Sequence, residues 1–169
     1  MADTSPPRFI VVVGASAGGL HSLVELAAQL KEDLPVAVLA VLHLSKVTFS
    51  DVLATRLQQV SSFVCKIAED GEPIRAGHFY LAPPDVHLLV NAESRVLLGH
   101  GAAENRWRPS IDILFRAAAA AYNSRVIGII LSGMLQDGTA GMDAIRRSGG
   151  TLIVQDPAEA EFPDMPLSV

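Results

Sequence analysis

Three residues that could together activate a hydroxyl lie at telling places in this chain. They are Ser16 within Gly14-Ala15-Ser16-Ala17-Gly18, His43 just after the apolar run VAVLAVL, and Asp137 within LSGMLQDGTAG. A serine hydroxyl is a poor nucleophile at neutral pH and needs an imidazole base, itself oriented by a carboxylate. G-x-S-x-G between a strand and a helix is the pattern of a nucleophile elbow, where small neighbours allow a tight turn that exposes the hydroxyl. The helix that follows aims its free N–H groups and positive dipole end at the same place. Taken alone, the five residues serve a structural glycine-rich turn equally well.

Other uses of the opening VVVGASAGGL fit less well. A dinucleotide site needs G-x-G-x-x-G, but Ser16 stands where the second glycine belongs. The second apolar run ends Leu42-His43-Leu44 and offers no acidic residue for a ribose, and no Gly-Lys-Ser/Thr exists for a phosphate loop.

The elements around these residues must bring them together. Residues 8–13 and 36–42 are continuous apolar runs, as buried parallel strands require, and 125–131 and 151–155 read likewise. Helical spacing of apolar residues marks 17–31 and 49–60. Pro109-Ser110 can start a helix that runs to Tyr122, and Thr139 to Arg147 forms a short helix before Gly149-Gly150. Short runs over 63–98, separated by DGEP, APPD and NAES, predict short strands or hairpins. The order implies a three-layer α/β/α sandwich with a mainly parallel sheet and an antiparallel hairpin insertion. Parallel strands share one carboxyl edge, so Ser16, His43 and Asp137 converge there although far apart in sequence. Individually, His43 could cap a strand and Asp137 could serve an Asp-Gly turn; three such groups on one edge favour a triad.

His21 belongs to the helix after the elbow, His78 and His87 to the insertion and His100 to a polar loop, where surface or satisfied roles are expected. No His/Asp/Glu grouping has metal-ligand spacing, so no metal and no other cofactor are expected. Cys65 is the single cysteine, which excludes an intrachain disulfide. The net charge of −5, with 50% apolar and 18% charged residues, offers no basic excess for nucleic acid or anionic membrane. MADTSPPRF lacks the layout of a signal peptide, and no apolar run could span a bilayer, so a soluble cytoplasmic protein without membrane insertion is expected.

The triad order Ser, His, Asp differs from the Ser, Asp/Glu, His order of α/β-hydrolases, and their HGGG motif is absent. The chain instead resembles the catalytic domain of the CheB-type chemotaxis methylesterases, the protein-glutamate methylesterases. The likeness runs through VVVGASAGGL, LPVAVLAVLHL, EDGEPIRAGHFYLAPPDVHLLV, RPSIDILFRAAA, Ile129-Ile130-Leu131-Ser132-Gly133-Met134, QDGTAGMDAI, GGTLIVQDP and the Met165-Pro166 pair. It implies a single catalytic domain over 1–169 that ends early and carries no receiver domain. The implied reaction is hydrolysis of glutamyl methyl esters on chemoreceptor helices, with glutamine deamidation in some members. The implied partners are the cytoplasmic helices of methyl-accepting chemoreceptors and a receiver or other signalling protein in trans.

The resemblance makes Ser16 the nucleophile, His43 the base and Asp137 its orienting acid, with the backbone N–H groups of Met134 and Ala17 as oxyanion donors. Two positions depart from the family pattern. Ala17 stands where many relatives have Thr, and His43-Leu44-Ser45-Lys46 where many read His-Met-Pro-Pro. Arg106, Trp107 and Arg108 form a basic and aromatic cluster that could meet an acidic receptor helix, or could consist of a packed Trp between solvated arginines. The competing reading of the whole chain is a catalytically weak signalling adaptor with the same fold.

Overall fold

A computed structural model of the chain describes residues 5–43 and 50–169. The expected substrate-facing stretch Leu44-Ser45-Lys46 and the expected helix start at Phe49 lie outside the described residues.

The continuous apolar runs become strands because both of their faces are covered. β1 (Phe9–Ala15), β2 (Val36–Leu42), β7 (Val126–Ile130) and β8 (Thr151–Val154) join β3 (Val64–Ile67) and β4 (His78–Leu81) in one six-stranded sheet of order β3-β4-β2-β1-β7-β8. Every pairing in it is parallel. β5 (His87–Val90) and β6 (Val96–Gly99) form a separate antiparallel hairpin. The 63–98 insertion therefore contributes two parallel strands as well as the hairpin. Runs of four residues carry no signal for the direction of their neighbour.

The pleat sorts successive residues to opposite faces. Ile10, Val12, Leu39 and Val41 pack against Ile111, Leu114 and Phe115 of α3 (Ile111–Tyr122), Met142 and Ile145 of α4 (Thr139–Arg147), and Leu88 and Val96 of the hairpin. Val11, Val13, Val38 and Ala40 pack against Leu23 and Ala27 of α1 (Gly19–Gln29) and Leu53 and Leu57 of α2 (Ser50–Val60). Each fully buried Leu or Ile in these layers contributes about 1.5–3 kcal/mol. The three-layer α/β/α expectation holds. A short helix α5 (Asp164–Leu167), which the sequence pattern does not announce, places Met165 in the core.

The chain leaves β1 toward β2 on one side, while β7 flanks β1 on the other. The carboxyl ends of β2, β1 and β7 thus surround a reversal of strand order, where open α/β sheets build their sites.

Candidate active site

Ser16 directly follows β1 and His43 directly follows β2. Ala15 pairs with Leu42, and the His43 N–H donates to the Ala15 carbonyl at 2.9 Å. Ser16 and His43 are therefore neighbours across one strand spacing, about 4.8 Å. On the other side, the Ser16 N–H donates to the Ser132 carbonyl at 3.0 Å, which ties the turn to the segment after β7.

Each glycine of the Gly14–Gly18 stretch has its own cause. A Cβ on Gly14 would lie 2.5 Å from Ile111 Cγ2, so the end of β1 can approach α3 only with glycine there. Gly18 adopts φ 71°, a left-handed conformation at the entrance to α1. Ser16 itself is not among the positive-φ residues, and it is only 7% exposed. The left-handed turn falls at Gly18, after the serine, and Gly133 packs against the Ser16 Cβ.

His43 Nε2 stands 2.9 Å from Asp137 Oδ2, with both side chains buried. The approach is close, but among the described residues no well-aligned hydrogen bond reaches either ring nitrogen. Such contacts often straighten only when substrate binds. One face of the imidazole is covered by Trp107, with ring centroids 4.0 Å apart and planes 6° from parallel. A stacked pair of this kind contributes about 0.5–1.5 kcal/mol beyond the area it buries.

Asp137 is held by the start of α3. Its Oδ2 accepts from the Ile111 N–H at 2.7 Å. Its Oδ1 accepts from the Asp112 N–H at 3.1 Å, the Ser110 hydroxyl at 3.1 Å and Asn105 Nδ2 at 3.0 Å. The Ile111 and Asp112 N–H groups are orphan donors of a helix N-terminus, where a carboxylate is favoured by as much as about 2 kcal/mol when partly buried. Burial pushes the Asp137 carboxyl up, but His43, the Ile111 and Asp112 N–H groups and Asn105 outweigh it and hold the group below the usual carboxylate range.

The capping is reciprocal. Asp112, in the first turn of α3, accepts from the N–H groups of Gly138 at 3.1 Å and Gly141 at 2.6 Å, at the start of α4. Asn105 Nδ2 donates to Asp112 Oδ2 at 2.7 Å and so bridges the two carboxylates. Burial pushes Asp112 up, with the nearby charge of Asp137 adding to it, against the hydrogen bond from Gly141.

Met134 follows Gly133 beside Ser16, and its side chain is exposed. The backbone N–H groups of Met134 and Ala17 have no hydrogen-bond partner among the described residues. The Gly133 turn is strapped by the C-terminal segment: its N–H donates to the Phe162 carbonyl and its carbonyl accepts from the Met165 N–H, both at 3.0 Å.

The Arg106–Arg108 cluster divides. Arg106 is exposed, Trp107 covers His43, and Arg108 binds Asp85 Oδ1 through Nε and Nη2 and the Gly101 carbonyl through Nη1. Of the remaining histidines, His21 pairs on the surface with Glu25, and His87 is buried with both ring nitrogens bonded to backbone, at Ala102 and Ser110. Sequence reasoning missed Asn105, Asp112 and the role of Ser132; it named Trp107 as docking or packed, and the packed alternative is the one seen, on His43. Only Asp112 had a local signal, an acid in the first turn of a helix.

Together these features define a parallel α/β protein with a Ser, a His and an Asp gathered at the switch point of its sheet. The chain belongs to the CheB methylesterase family, whose model matches residues 11–169. It is 37% identical over 160 residues to a protein-glutamate methylesterase/protein-glutamine glutaminase of Symbiobacterium thermophilum, covering 95% of this chain and 44% of that protein. A relative of the same description from Myxococcus xanthus is 39% identical over 157 residues, covering 93% and 44%. The chain thus spans less than half the length of these two relatives. The crystal structure of the Thermotoga maritima CheB methylesterase catalytic domain superposes with a TM-score of 0.91 at 37% identity, covering 98% of this chain and 87% of that one. No helix among the described residues is long and apolar enough to cross a membrane.

Proposed function

We propose that this chain is a serine hydrolase that removes methyl esters from glutamate side chains of chemoreceptor cytoplasmic helices, releasing methanol, and that it also deamidates receptor glutamines. The observation that carries the reading is the buried His43–Asp137 contact of 2.9 Å, one strand spacing from Ser16.

Asp137, kept ionised by the α3 N-terminus, holds the tautomer with hydrogen on His43 Nε2. Nδ1 is then the nitrogen left to take the Ser16 proton as Oγ attacks the ester carbonyl. The tetrahedral oxyanion is received by the N–H groups of Ala17 and Met134, whose fixed dipoles act where charge develops. The protonated imidazole gives its proton to the departing methoxide, which leaves as methanol. Water, deprotonated by His43, then cleaves the glutamyl–serine ester and restores the hydroxyl. With a glutamine substrate the leaving group is ammonia.

An ester on a receptor helix presents a broad surface, so binding energy from protein–protein contact must contribute to the barrier reduction. In this reading exposed Arg106 meets an acidic receptor face, and Arg108 joins only by releasing Asp85. Regulation comes from a receiver or other signalling protein in trans, or from a longer native chain.

The test is methanol release from methylated receptor fragments, comparing the wild type with Ser16→Ala. Loss of release with unchanged circular dichroism supports the reading. Retained release removes Ser16 as the nucleophile.

A further inference from the structure

The turn from Glu104 to Trp107 touches both members of the His43–Asp137 pair, and no step of the proposed reaction uses it. Glu104 and Trp107 exchange both backbone hydrogen bonds, at 3.0 and 2.9 Å, around Asn105 with φ 53° and Arg106 with φ 71°. Two left-handed central residues define a tight two-residue turn. Asparagine tolerates that conformation, whereas arginine rarely adopts it, so the surroundings must sustain it.

Those surroundings are specific. Glu104 Oε1 accepts from Arg116 on α3 at 2.5 Å. Asn105 Nδ2 reaches both Asp112 and Asp137, and Trp107 lies flat on His43. Arg108, next in the chain, is tied to Asp85 and Gly101.

We infer that this turn is a clasp, in which Trp107 and Asn105 are positioning residues that fix the imidazole plane and the carboxylate rotation together. The inference rests on the serine-hydrolase reading and deepens it. The need for a clasp follows from the geometry of His43. Among the described residues Nδ1 has no hydrogen-bond partner and Nε2 meets the Asp137 carboxylate without a well-aligned hydrogen bond, so that one contact sets the ring plane only loosely about χ2, a broad torsion. An indole stacked at 4.0 Å forbids that rotation, because a turned ring would enter the Trp107 plane. Asn105, with one amide nitrogen on two carboxylates, ties the carboxylate to the same turn.

A docking role for Trp107 makes a different demand, since it would affect the receptor substrate alone. The discriminating probe is a small fluorophosphonate, which reacts with an activated serine without any receptor. With Trp107→Leu, phosphonylation of Ser16 and receptor demethylation should fall by the same factor, about tenfold or more, with KM for receptor unchanged. Trp107→Phe keeps a stacking face and should stay within about threefold of wild type. Trp107 is the only tryptophan in the chain, so its emission should shift in His43→Ala. Wild-type phosphonylation of Trp107→Leu, a Phe variant as impaired as the Leu variant, or unchanged emission would each overturn the clasp. Failure of the parent reading looks different: His43→Ala itself would then react with the probe at the wild-type rate.

Discussion

Asp137 and Asp112 cap each other's helices: Asp137 accepts the first N–H groups of α3, and Asp112, within α3, accepts those that open α4. The acid that faces His43 is thereby part of the packing of two helices. Two backbone N–H groups hold it, together with the Ser110 and Asn105 side chains, and the predictions below follow from that coupling.

Asp137→Asn should lose more than a charge. Either orientation of the amide points its NH2 at N–H donors, those of Ile111 or Asp112. Leaving such donors unmatched costs about 1–3 kcal/mol, readable as a lowered urea midpoint. Methanol release should fall by about 10⁴, as in a known triad where the amide favours the wrong imidazole tautomer. A loss below about tenfold would mean that another group orients His43.

Acid should weaken the fold through Asp137. A carboxyl held below its unfolded value, about 3.9, contributes stability that is full above that pH and lost as the pH falls through the folded value. Asp112 acts with the opposite sign: its folded value is raised, so stability falls as the pH rises from about 3.9 through that value. On going below pH 4, the urea midpoint of the wild type should therefore lose ground relative to that of Asp137→Asn. Parallel acid limbs in the two proteins would contradict this assignment.

Gly14→Ala should destabilise the protein by about 1–3 kcal/mol, because the new methyl meets Ile111 at 2.5 Å. Ile111 also donates its N–H to Asp137, so activity should fall alongside stability. Thermal melts of Gly14→Ala, Ile111→Ala and the double variant check this. The two losses should be less than additive, since the smaller side chain at 111 makes room for the methyl.

Cys65 should be a slow thiol. Burial pushes it up to about 11, against a smaller lowering by Ser61. Thiolate is the reactive form, so iodoacetamide at pH 7.5 should label the native protein far more slowly than the urea-unfolded one. Equal rates would contradict the assignment.

The backbone of the site was legible because it is made of strands buried on both faces. Val36–Leu42 and Thr139–Arg147 were readable to the residue, and the helix after Ser110 began where its cap sequence said. The Ser110 hydroxyl indeed accepts from the Ile113 N–H. The backbone adjacency of Ser16 and His43 and the His43–Asp137 contact were foreseeable because parallel strands share an edge. The Asn105 bridge and the Trp107 stack were not, since they join segments far apart in sequence through a loop without periodicity. Trp107 beside two arginines reads equally as a surface patch or a packed ring, and only the fold shows that it lies on His43. The parallel pairing of β3 and β4 was equally hidden, because four-residue strands do not encode direction.

The central claim is that Ser16 and His43 act as one unit, and the most direct measurement is methanol release by Ser16→Ala, His43→Ala and the double variant on one methylated receptor fragment. Residues of a working triad are grossly non-additive when removed together. The account predicts that all three variants release methanol at the same residual rate, with unchanged circular dichroism. Losses that multiply in the double variant, or either single variant near the wild-type rate, would contradict it.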